Sequence, residues 1–286
     1  MFTYVNKNIY IMFLKFRIIV AIIVLYTASL SAQRIKGSDT TLPLTQRLAE
    51  VYKQRYPKSA LSVTGGGSGV GIAALEEGTT EIAMSSRTIK PEEAERLRLA
   101  NKKPIETIIA YDALAVVVNP KNPVSKLTRE QLEGIFRGKI TNWKQLGGTD
   151  SKIIVYTRES SSGTYDFFLQ KVLKRRNYAS SALSMPATGA IIESIRQTPG
   201  AIGYVGISYI DHLKPIAVSF DDGKNYYLPT LDNAENGKYP IVRPLYYYYL
   251  AKDTTVINPF LEFIASAQGQ QIIKQLGYIP VKNAQR

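Results

Sequence analysis

The sequence predicts an α/β protein with largely parallel sheets, and three observations carry that expectation. Strand, polar turn and helix recur in alternation along the chain. Residues 113–118, Ala-Leu-Ala-Val-Val-Val, are apolar throughout, as in a strand covered on both faces of a parallel sheet. Four of the turns carry hydroxyl side chains where a strand runs into a helix, the place where such sheets bind ligands. With 286 residues the chain can bury a sizeable core in one or two domains.

At the N-terminus, Lys7, Lys15 and Arg17 precede an apolar run over 18–28 that is short for a bilayer span, and Ser29-Leu30-Ser31-Ala32 follows it. Residues 1–32 read as a secretory signal peptide cut after Ser31 or Ala32, with an uncleaved anchor as the alternative, and a periplasm as the compartment. That segment holds three basic side chains and no acidic one, so the rest keeps 33 Lys plus Arg against 23 Asp plus Glu. The excess suits an anionic partner without choosing among phosphate, nucleic acid and a membrane surface. The lack of cysteine excludes disulfides, thiol catalysis and a lipid-modified N-terminal cysteine.

Beyond the signal, Arg34-Ile35-Lys36 begins a strand leading into Gly37-Ser38-Asp39-Thr40-Thr41-Leu42-Pro43. Pro43 suits a first helical position, and Leu44, Leu48, Val51 and Tyr52 mark an amphipathic helix ending before Pro57. Residues 61–64 alternate as a strand into Gly65-Gly66-Gly67-Ser68-Gly69-Val70-Gly71, where the glycines let backbone approach a ligand and Ser68 sits at the cap. This turn lacks the Lys-Ser/Thr end of a P-loop, does not fit GxGxxG, and misses GxSxG because Val70 holds the last glycine position. A flexible glycine turn is its plain alternative. A strand over 81–84 ends in Ser85-Ser86-Arg87, before a charged helix opened by Pro91-Glu92-Glu93. Strands over 105–109 and 113–118 follow, then a helix over 128–137, and Trp143 reads as packing.

Ile153-Ile154-Val155 is a short buried strand, and Arg158-Glu159-Ser160-Ser161-Ser162-Gly163-Thr164 is the turn from it into a helix over 165–175. The hydroxyls of Ser162 and Thr164 stand at the positive end of that helix, and Arg158 adds a planar fork that matches a tetrahedral oxyanion. A simple N-cap beside a solvated arginine is the plain alternative. A helix over 190–195 and a strand over 200–205 come next, and His212, the sole histidine, can form neither a metal pair nor a triad base. Residues 221–238 read as a surface loop or hairpin, 245–250 as a packed strand whose adjacent tyrosines face opposite sides, and 260–273 as one closing amphipathic helix.

The turns share donors: Thr40, Thr41, Ser68, Ser86, Ser162, Thr164, main-chain N–H groups, Arg87 and Arg158. Together they can saturate the oxygens of one small dehydrated anion, each charge-assisted bond returning about 1.5–3 kcal/mol. No nucleophile–base pair, paired carboxylates or metal cluster stands out, so capture is expected rather than turnover, with no metal and no cofactor.

Taken together, the first turn, the glycine turn, Ser85-Ser86-Arg87, the stretch from Arg158 through Ser162-Gly163-Thr164, and Gly200-Ala201-Ile202-Gly203-Tyr204 resemble the periplasmic phosphate-binding proteins of ABC transporters, the PstS family. Ile135-Phe136-Arg137-Gly138 and Trp143 also look like that family, and the resemblance covers nearly all of the mature chain. It implies a type II periplasmic-binding-protein fold, two α/β lobes joined by two strands that cross near Tyr111-Asp112 and near 240–244. Lobe 1 would hold residues 33–111 and 242–286, and lobe 2 residues 112–241. It further implies a monomeric, non-enzymatic protein that takes inorganic phosphate to permease subunits in the inner membrane and binds no nucleic acid. By position, the family's first-turn threonine matches Thr41 or Thr40, with Leu42 beside them, and its glycine-turn serine matches Ser68. Its arginine, serine, glycine and threonine match Arg158, Ser162, Gly163 and Thr164, while Ser86 and Arg87 form the third turn. Some members carry an Asp at the Ser86 position to accept a ligand proton. Here the acceptor must be a hydroxyl, a carbonyl, Glu159 or Asp112, which leaves another tetrahedral oxyanion (sulfate, molybdate or tungstate) as the alternative ligand.

Overall fold

The computed structural model describes residues 33–281, so the signal expected over 1–32 lies outside the described residues. In chain order the elements are β1 (Gln33–Gly37), α1 (Leu42–Arg55), β2 (Leu61–Thr64), α2 (Ser68–Glu77), β3 (Ile82–Ser85), α3 (Pro91–Leu99), β4 (Pro104–Val118), β5 (Lys126–Thr128), α4 (Arg129–Phe136), β6 (Ile154–Arg158), α5 (Gly163–Lys171), β7 (Leu183–Met185), α6 (Thr188–Gln197), β8 (Ala201–Gly206), β9 (Lys214–Pro215), β10 (Ala217–Ser219), α7 (Leu231–Glu235), β11 (Val242–Leu250), α8 (Thr254–Ala265) and α9 (Ala267–Gln275).

The main sheet runs β2-β1-β3-β11-β4-β8-β6-β7. Its flanks, β2-β1-β3 and β8-β6-β7, are parallel, whereas β11 and β4 between them run antiparallel to each other and to their outer neighbours. The 15-residue strand β4 joins the halves. Up to Ala113 it pairs with β11, and from Leu114 it pairs with β8, so one continuous strand changes partners where the chain passes from one half to the other.

Each half has its own core. Ile35, Leu44, Leu48, Ile82, Ile109, Tyr247, Phe260 and Ile273 belong to one buried cluster; Leu114, Val116, Leu132, Phe136, Trp143, Phe168, Ile202 and Ile241 belong to another. Helix α1 shows how local sequence feeds this packing: Pro43 opens it, Leu44, Leu48 and Tyr52 turn one face inward, and Lys53 and Arg55 sit in the last turn, opposite the negative end of the dipole. Trp143 is buried and donates its indole N–H to the Gly200 carbonyl at 3.0 Å. The consecutive tyrosines alternate as a strand requires, with Tyr247 and Tyr249 in the α1 core and Tyr246 and Tyr248 against Leu75 and Ala83 on the other face.

Three expectations need correction. Residues 113–118 are fully buried, but their neighbour β8 runs antiparallel. Apolar content reports coverage of both faces; pairing direction resides in main-chain hydrogen bonds and leaves no mark on side-chain polarity. The single closing helix is two, because Ser266 adopts ψ 162° and its hydroxyl accepts from Gly269 N at 3.3 Å, starting a new N-terminus. The loop over 221–238 contains the five-residue helix α7, capped by Thr230 and too short to show a periodicity.

Candidate functional site

The four hydroxyl-bearing turns follow β1, β2, β3 and β6, so three come from one half and one from the other. Thr40, Thr41, Ser68, Ser86, Arg158, Ser162 and Thr164 are each at most 4% exposed. Buried polar groups at strand ends must find partners, and here many find them across the halves. Thr40 Oγ1 and Thr164 Oγ1 share a 3.0 Å hydrogen bond. Gly69 N donates to the Ser161 carbonyl at 2.9 Å. Gly163 packs so tightly on the opposite half that a Cβ there would overlap Ser68 Oγ and lie 2.5 Å from Ser86 Oγ. Ser68 Oγ in turn accepts from Ser86 N at 3.1 Å.

Helix N-termini set the polarity of this junction. Ser162 caps α5, accepting from Thr164 N at 3.2 Å, while Thr41 and Gly67, at the caps of α1 and α2, make no side-chain cap bond. The first turn of α1 therefore keeps main-chain donors that suit an anion, whereas in α2 Gly69 N is already held by the Ser161 carbonyl. Thr41 Oγ1 is buried and has no hydrogen-bond partner among the described residues. Leu42, the first residue of α1, packs partly buried against the α1 core.

Each of the three arginines here is matched by a carboxylate. Arg158 Nη2 donates to Asp39 Oδ2 at 2.6 Å and to the Pro186 carbonyl at 3.0 Å, Nη1 to Thr188 Oγ1 at 3.1 Å, and Nε to the Met185 carbonyl at 3.3 Å. Its fork thus spans the two halves. Arg87 is turned to α3, with two bonds to the Glu93 carboxylate at 2.7 and 2.6 Å. Arg243, which the sequence reading did not select, donates from Nη2 to Thr40 Oγ1 at 3.1 Å and to Thr164 Oγ1 at 3.2 Å. Its Nε and Nη2 also reach Asp112 Oδ2, at 3.1 and 2.9 Å. Burial raises the pKa of Asp112 and lowers that of Arg243, and the attraction between them opposes both shifts. Glu159, named as a possible proton acceptor, receives the Ser161 hydroxyl at 2.9 Å.

The signal that could have found Arg243 was present. Arg243 is a lone cation in the apolar stretch Ile241-Val242-Arg243-Pro244-Leu245, and Asp112 a lone anion shortly before an all-apolar run. Ionised side chains are almost never fully buried unless paired, so each implied the other.

A family model described as a PBP superfamily domain matches residues 27–268. The phosphate-binding protein PstS of Bacillus subtilis is 34% identical over 248 residues, covering 86% of this chain and 80% of that protein. The PstS of Pseudomonas aeruginosa is 31% identical over 263 residues, covering 86% and 81%. Among solved structures, a putative phosphate ABC transporter substrate-binding protein from Clostridium perfringens with bound phosphate superposes with a TM-score of 0.80 at 34% identity, over 88% of this chain and all of that one. The mixed sheet and paired α/β halves are thus those of a type II periplasmic-binding-protein fold, and the chain belongs to the PBP superfamily and, within it, to the PstS family of phosphate-binding proteins.

Proposed function

We propose that this protein is an extracytoplasmic solute-binding protein that captures inorganic phosphate between its lobes and delivers it to the permease subunits of an ABC importer. Residues 1–32 direct export, and the mature chain works as a monomer. Lobe 1 comprises residues 33–111 with 242 onward and lobe 2 residues 112–241, a division supported by the two separate cores and by the partner change of β4. The ligand's oxygens are received by the hydroxyls of Thr40, Thr41, Ser68, Ser86, Ser162 and Thr164 and by main-chain N–H groups at Leu42 and Gly163, while Arg158, buried and sharing its fork with Asp39, adds positive charge beside them.

The observation that carries this reading is the meeting of Thr40 and Thr164, 124 positions apart, at 3.0 Å, both residues buried. A pair of buried hydroxyls from opposite lobes, beside two helix N-termini without side-chain caps, is an oxyanion receptor that closes by bringing the lobes together. Because Thr40 and Thr164 are also acceptors, they can accept a hydrogen bond from the O–H of a protonated phosphate, which fully ionised sulfate cannot offer. Calorimetric titration of the mature chain with phosphate and sulfate in parallel tests this: tight phosphate binding little affected by sulfate is expected, and displacement of phosphate by equimolar sulfate would overturn phosphate as the specific ligand.

A further inference from the structure

Arg243 lies on β11 opposite its register partner Asp112 on β4, the two strands that join the lobes. Its guanidinium carries five N–H donors in one plane. The Nε and Nη2 edge faces Asp112 Oδ2, and Nη2 also approaches a hydroxyl from each lobe, Thr40 Oγ1 at 3.1 Å and Thr164 Oγ1 at 3.2 Å. Nη1 therefore occupies the edge away from Asp112. It is buried and has no hydrogen-bond partner among the described residues, and Arg243 as a whole is 1% exposed. Thr41 Oγ1, beside Thr40 on the same turn, is likewise buried and unpartnered. The Phe167 ring of α5 stands 5.5 Å from the Arg243 guanidinium carbon and shields that face from water. Arg243 Nη1 and Thr41 Oγ1, with Asp112 Oδ1, are thus buried polar atoms without a partner among the described residues; isolated in a core they would be costly.

We propose that Arg243 binds the phosphate directly. Its Nη1 hydrogens, which have no partner among the described residues, meet ligand oxygens alongside Thr40, Thr41 and Thr164, and Asp112 acts as the positioning residue that fixes the plane of the guanidinium. The inference rests on the phosphate reading above and adds a second buried cation, from the joining strands, to Arg158, whose fork is shared with Asp39. Since Arg243 touches one hydroxyl from each lobe, it holds ligand and hinge in a single hydrogen-bonded group.

The test compares unaltered protein, R243Q and R243K by calorimetric titration with inorganic phosphate and by unfolding temperature with and without saturating phosphate. R243Q is expected to bind phosphate at least a hundredfold more weakly and to lose most of the phosphate-dependent rise in unfolding temperature. R243K, which keeps a cation beside Asp112 but not the fork, is expected to lose at least tenfold. A purely structural arginine would lower the unfolding temperature without phosphate while leaving the affinity within threefold, and that result overturns the proposal. If R243Q does not fold, R243K decides alone by the same limits. Failure of the unaltered protein to bind phosphate would overturn the underlying reading and this one with it, whereas normal binding by the unaltered protein and by both variants overturns only the role of Arg243.

Discussion

Two buried ion pairs border the site, and they are built for different work. Arg243 and Asp112 are register partners on adjacent strands, 1% and 0% exposed as side chains, and their geometry follows from main-chain pairing. Arg158 and Asp39 come from different halves of the sheet, meet at 2.6 Å, and leave Asp39 14% exposed. The first pair is set by strand register. The second joins turns of the two halves, and is supported by Tyr209, whose hydroxyl donates to the Asp39 carbonyl at 2.8 Å. A pair within a sheet can preset a donor, and a pair across a cleft can report closure.

Substitutions should separate these roles. The largest effect is expected from D112A, which strands a buried guanidinium: denaturant unfolding of the ligand-free protein should show a loss of about 3–5 kcal/mol. A loss below 1 kcal/mol would place the pair on a par with the cleft pair and erase the distinction. G163A comes next. Its added methyl collides with Ser68 and Ser86 only when the lobes meet, so phosphate affinity should fall by about 2 kcal/mol while ligand-free stability holds or rises slightly. Unchanged affinity would mean that the phosphate-bound lobes stand farther apart.

A third ion-pair group, outside the cleft, serves as a control. Hydrogen bonding from Arg129, aided by Arg137 and Arg176, lowers the Glu133 pKa to about 2. Its stabilising contribution is fully present above the unfolded value of 4.5 and is lost as pH falls towards 2, an effect on the order of 2 kcal/mol after allowance for screening. The stability gap between the unaltered protein and E133Q should therefore narrow between pH 7 and pH 3 with phosphate affinity at pH 7 unaltered. A constant gap would remove Glu133 from the acid response. The smallest effect is expected from D39N, which should weaken phosphate binding by about 1 kcal/mol and leave ligand-free unfolding unchanged. A large loss of ligand-free stability would show that Asp39 behaves like Asp112.

Much of the receptor was legible along the chain because its parts are local. Hydroxyls at Thr40, Ser68, Ser86, Ser162 and Thr164 sit within a residue or two of a strand-to-helix junction, and the sequence around each junction sets which donors face outward. Burial of 113–118 and the alternation of the four tyrosines were equally local, since they depend on side-chain polarity and the two-residue period of a strand. The break at Ser266 was readable only with its cap bond, because serine tolerates both a helix interior and an N-terminus.

Sequence alone thus determined the chemistry of the turns: several donor-rich helix starts with no catalytic or metal-binding pattern beside them. Tertiary structure decided which groups meet. Asp112 and Arg243 are 131 residues apart, Asp39 and Arg158 are 119 apart, and neither pairing follows from neighbouring residues. The antiparallel run of β4 against β11 and β8 made that choice, because pairing across a sheet is fixed by main-chain hydrogen bonds and by how the whole chain closes, and both are invisible to a local reading of side chains.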